Sequence, residues 1–83
     1  MSVSNEIKII RQKALLSQVE FADALSVSFS TVNRWETGKT VPNMVAMRKI
    51  KQFCEKNSIS IDALQQALIN TSITDNTKQS DTK

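Results

Sequence analysis

The sequence predicts an all-α fold, a compact bundle of five short helices followed by a polar tail. Three observations carry this. Apolar residues recur at three- and four-residue spacing with little strict alternation, the period of amphipathic helices. The chain holds one Gly and one Pro, fewer turn-formers than a strand-rich fold of this size needs. Ser or Asn stands ahead of several apolar-periodic runs, where a short polar side chain can accept from an exposed helix N–H.

The first helix is expected from Asn5 to Ala14. Asn5 is placed as its N-cap, Glu6 lies in the first turn where the helix dipole favours an acid, and Ile7, Ile10 and Ala14 share a face. The second begins at Ser17, because Ser17-Gln18-Val19-Glu20 has capping-box spacing. Phe21, Ala22 and Leu25 then point inward, and a break follows at Ser26-Val27. Ser28 caps a third helix running to Glu36 or Thr37, with Val32 and Trp35 on its buried face. Gly38 follows where a left-handed C-terminal residue is wanted, and Gly38-Lys39-Thr40-Val41-Pro42 is a loop. The fourth helix runs from about Met44 to Lys56 behind Asn43, with Met47, Ile50, Phe53 and Cys54 as its stripe. The fifth starts near Ser60 and carries Ile61, Leu64, Leu68 and Ile69.

With 83 residues there is room for one small domain, assigned to residues 1–69. Residues 70–83 are nearly all Asn, Thr, Ser, Asp and Lys. Such a tail buries too little apolar surface to offset its chain entropy and is expected to be disordered.

Composition narrows the function. The single Cys54 permits no internal disulfide, and with no His the chain lacks the commonest metal ligand and general base. No paired carboxylates, Gly-rich phosphate loop or nucleophile–base set stands out, so no enzyme, cofactor or small-molecule substrate is expected. No secretory leader or membrane-spanning run is read, which points to a cytoplasmic protein with no membrane partner. A net charge of +3 and a pI near 9.3 suit a polyanionic partner.

The segment from Gln18 to Thr37 carries the function. Two short helices joined by a tight turn, the second with polar residues outward, is the layout that presents one helix to the major groove. Ala22 supplies the small residue where the helices approach, and Phe21, Leu25, Val27, Val32 and Trp35 fill the space beneath. Ser17-Gln18-Val19-Glu20-Phe21-Ala22, then Ser30-Thr31-Val32-Asn33-Arg34-Trp35-Glu36-Thr37-Gly38-Lys39, then Pro42, resemble the phage-repressor/Cro (Xre) helix-turn-helix family over about residues 5–68.

That resemblance implies a lambda-repressor-like five-helix bundle that binds double-stranded operator DNA, usually as a homodimer on a palindrome. It implies phosphate contacts from Gln18, Ser28 and Lys39, base edges faced by Phe29, Ser30 and Arg34, and Asn33 beside them on base or backbone. It also implies a pair between Arg11 and Glu36 tying helix one to the end of helix three; if exposed, such a pair contributes about 0–1 kcal/mol. The chemistry of the residues agrees: Arg34 can bond guanine in bidentate fashion, Phe29 can pack on a thymine methyl, and Ser30 can read an edge directly or through water.

The chain departs from the family pattern at three positions. Ser26 and Leu15 stand where the family favours Gly, and a left-handed Ser26 would carry roughly 1–2 kcal/mol of strain. Phe29 is apolar where the family is often polar. The expected role is a sequence-specific transcriptional regulator. The alternatives are an antitoxin or restriction–modification controller and, because of Phe29 and the apolar residues of helix five, a protein-interaction module.

Overall fold

The computed structural model describes residues 2–71, and all the regular structure among them is helical. The helices are α1 (Val3–Lys13), α2 (Gln18–Leu25), α3 (Phe29–Glu36), α4 (Met44–Lys56) and α5 (residues 62–71). No helix among the described residues is long and apolar enough to cross a membrane.

Three of the expected caps hold. The Oγ of Ser17 and of Ser28 and the Oδ1 of Asn43 each accept from the backbone N–H three residues on. At Ser17 the box closes, because its own N–H donates 2.8 Å to the Glu20 carboxylate. That bond, made first by the Ser17 backbone, holds the Glu20 carboxyl below the ordinary range.

Helix α1 is the exception. Its cap is Ser2, three residues before the expected Asn5, whose N–H Ser2 accepts at 3.1 Å. The gain is Val3, which is buried and extends the Ile7–Ile10 face by one turn. Helix α5 starts past Ser60, whose Oγ accepts from the Asp62 N–H, and runs through residue 71, two residues beyond the expected domain end. The rest of the expected tail, residues 72–83, lies outside the described residues.

Each helix contributes its apolar stripe to one core. Ile7, Phe21, Val32, Ile50, Cys54 and Leu64 are the largest fully buried side chains. Ile61 and Leu64 are buried as expected, Leu68 is half-buried and Ile69 half-exposed, while the unforeseen Ala46 and Ala67 complete the α4 and α5 faces. Phe21 and Phe53 pack edge to face with centroids 5.2 Å apart, worth about 1 kcal/mol beyond the area they bury. Burial pushes the Cys54 thiol up to about 11, with the Glu55 charge adding to the rise, so it behaves as a small core residue.

The helix ends explain how so few glycines suffice. Leu15, Ser26, Gly38 and Ser58 all have positive φ, between 57° and 79°. Each donates its N–H to the carbonyl three residues back, and the following N–H reaches five residues back, as in Leu16→Arg11 (3.2 Å), Val27→Ala22 (3.0 Å), Lys39→Arg34 (2.9 Å) and Ile59→Cys54 (2.8 Å). This is the Schellman closure, which satisfies carbonyls the helix leaves open. At the three non-glycine sites the next residue is Leu16, Val27 or Ile59, and each packs against the core. Core contact thus pins the residue after the turn and offsets the left-handed strain of the residue before it.

Candidate nucleic-acid interface

Helices α2 and α3 pack together, Ala22 of α2 is buried, and the turn between them is closed by left-handed Ser26. Val32 and Trp35 then anchor α3 in the core. Anchoring that face leaves Ser30 and Arg34 exposed on the other, with Phe29 exposed in the first turn. Phe29 keeps 48 % of its surface in solvent, so part of it is available to an apolar partner.

Of the expected site residues, the structure brings Gln18, Asn33 and the end of α3 together. Arg11 reaches from α1 to Glu36 on α3 with two parallel bonds, Nε to Oε2 at 2.7 Å and Nη2 to Oε1 at 2.9 Å, while its Nη1 donates to the Leu16 carbonyl at 3.0 Å. Glu36 Oε1 also accepts from Gln18 Nε2 at 3.0 Å. Gln18 Oε1 accepts from Asn33 Nδ2 at 3.4 Å. The chain of bonds therefore joins α1, α2 and α3.

The Arg11–Glu36 pair is not a surface pair: their side chains are 15 % and 2 % exposed. Desolvation raises the Glu36 pKa, but the bonds from Arg11 and Gln18 and the nearby charges of Arg11 and Lys8 more than offset it, so the carboxyl lies below the ordinary range. The guanidinium of Arg11 shifts upward for the reciprocal reason, its bond to Glu36. Fork geometry and exclusion of water make this pair stronger than its exposed counterpart. Breaking it would strand a nearly buried carboxylate.

Ser28 lies at the start of α3. Its Oγ accepts from the Thr31 N–H at 3.1 Å and is 2.8 Å from the Thr31 hydroxyl. Lys39 follows the closing turn of α3, where its backbone N–H is taken by Arg34 but its side chain is exposed. Gln18, Ser28 and Lys39 thus border α3 at the start of α2, the start of α3 and the loop after α3. Residue spacing alone missed the Gln18–Glu36 and Gln18–Asn33 bonds. The one available signal was the three-residue periodicity that puts Asn33 and Glu36 on one side of α3.

Residues 7–57 match the model of the helix-turn-helix family. The chain is 33 % identical over 64 residues to the HTH-type transcriptional activator BcrR of Enterococcus faecalis. The match takes in 77 % of this chain and 30 % of that protein, so the chain spans under a third of this relative's length. No solved structure matches.

Proposed function

The chain belongs to the Xre-type helix-turn-helix family, and from that premise we propose that it binds double-stranded DNA sequence-specifically and regulates transcription. The observation that carries this is the two-sided character of α3. Val32, Trp35 and Glu36 fix one side in the body of the domain, Ser30 and Arg34 are exposed on the other, and Phe29 is exposed in the first turn. A helix held from behind, with a guanidinium, a hydroxyl and an aromatic ring forward, suits a major groove.

In this reading Arg34 bonds a guanine, Phe29 packs on a thymine methyl and Ser30 contacts an adjacent edge. Gln18, Ser28 and Lys39 hold the phosphates on either side, which sets register but not sequence. The functional unit is a homodimer on a palindrome, with the two α3 helices entering successive major grooves about 34–36 Å apart. Its regulatory output follows from occupying that site.

Selection of bound sequences from a random duplex pool tests this. One enriched motif with two-fold symmetry and half-sites about one helical turn apart is expected, with affinity falling steeply with salt as counterions are released. Recovery of no preferred sequence at any salt concentration defeats the proposal.

A further inference from the structure

Asn33 lies on α3 between the residues assigned to base edges, and its chemistry alone would suit an adenine. Its surroundings argue otherwise. Phe29, Ser30 and Arg34 are exposed, but Asn33 is half-buried and its amide nitrogen points at Gln18 Oε1, 3.4 Å away.

The orientation of both amides follows from one charge. Glu36 is a carboxylate and can only accept, so the end of Gln18 at 3.0 Å from it must be the Nε2 donor. That turns Gln18 Oε1 toward Asn33, and Asn33 must then offer its Nδ2. Glu36, itself gripped by Arg11, thus fixes Gln18 from one side, and Asn33 fixes it from the other. Gln18 Nε2 carries two hydrogens, and Glu36 uses one of them. The second remains for a ligand outside the network.

We infer that Asn33 is a positioning residue for the phosphate contact of Gln18, and that it does not read a base. This rests on the DNA-binding reading above and assigns Asn33 a different part in it. Gln18 lies at the first residue of α2, and Asn33 lies on the helix that enters the groove. A bond between them locks the grip on the backbone to the angle of the reading helix. A neutral amide releases no counterion when it bonds phosphate, so its contribution is separable from that of Lys39.

The test is selection from a random duplex pool, followed by affinity measurement on the selected site, for the whole chain and for Asn33→Ala, Gln18→Ala, the double variant and Arg34→Ala. Asn33→Ala is expected to select the same sequence as the wild type, bind it about tenfold more weakly, and keep the same salt slope. On the Gln18→Ala background it is expected to add nothing. Arg34→Ala is expected to relax the selected sequence at the guanine it faces. Asn33→Ser repeats the comparison if the alanine variant fails to fold, and the selected sequence reports only on folded molecules. A change of preferred base in the Asn33 variants, or a loss that adds in full to that of Gln18→Ala, overturns the inference and leaves DNA binding standing. A wild type that selects nothing defeats DNA binding itself and the inference with it.

Discussion

Replacing Leu15 with glycine should stabilise this protein, although it removes a large apolar side chain. Leu15 has φ of 61°, a region that costs an L-residue with a Cβ roughly 1–2 kcal/mol. Its side chain is 89 % exposed, so truncation forfeits almost no burial. The two closing bonds, Leu15→Gln12 at 3.0 Å and Leu16→Arg11 at 3.2 Å, use backbone atoms that glycine retains. Against this relief, glycine loses about 0.5–1 kcal/mol more chain entropy on folding. The balance is a gain of about 0.5–1 kcal/mol. For a domain of this size that raises Tm by about 2–8 °C. Thermal and urea unfolding followed by circular dichroism measure it, with the urea midpoint rising and the m-value constant. Leu15→Ala is the decisive control. It removes the exposed side chain but keeps the Cβ, so it should bring no comparable gain. An equal gain from alanine would mean that the exposed leucine, not the backbone, was the liability. A neutral or destabilising glycine would refute the strain argument. The sign reverses at Gly38, φ 79°, where a Cβ meets only Ser4 Oγ at 4.0 Å. Gly38→Ala should therefore cost about 1 kcal/mol through conformation alone.

Three further predictions concern the network, the reading face and the core. Arg11→Ala should lower stability by about 2–3 kcal/mol, somewhat less than for a fully buried pair. Because the folded Glu36 pKa is depressed, its contribution is complete above the ordinary carboxylate value and is lost as pH falls through the folded value. The variant should show less of this acid-side loss, which urea titrations on either side of pH 4 would reveal. Replacing thymine by uracil in the selected site should weaken the wild type at the position facing Phe29 and leave Phe29→Ala unaffected; equal sensitivity of both proteins would remove the methyl contact. Cys54, buried and raised to about 11, should resist a thiol reagent at pH 8 until the chain unfolds, and a rapid native reaction would contradict its place in the core.

Much of the helical framework was legible because its signals are local. Ser17, Ser28 and Asn43 cap the helices they precede, since each bond spans only three residues. Phe21, Ala22, Leu25, Val32 and Trp35 are buried where periodicity put them, and Val27, expected beneath the two helices, is half-buried. The start of α1 was misplaced because Ser2 and Asn5 are both good caps. Burial of Val3, a tertiary contact, decides between them. Left-handed Ser58 was not anticipated, because the sign of its φ follows from Ile59 reaching the core.

The same division holds at the segment from Gln18 to Thr37. Local sequence determined that two helices stand there, where each starts, and which side of each turns inward, because capping and periodicity act within a few residues. Only the tertiary structure decided what surrounds the polar side chains. The family resemblance already implied the Arg11–Glu36 pair, 25 residues apart; the tertiary structure took that carboxylate out of water and set Gln18, 18 residues away, against it. It also turned Asn33 back toward α2, leaving Arg34 and Phe29 outward. Hydrogen-bond partners and desolvation depend on which helices cross and at what distance, and no spacing along the chain encodes that.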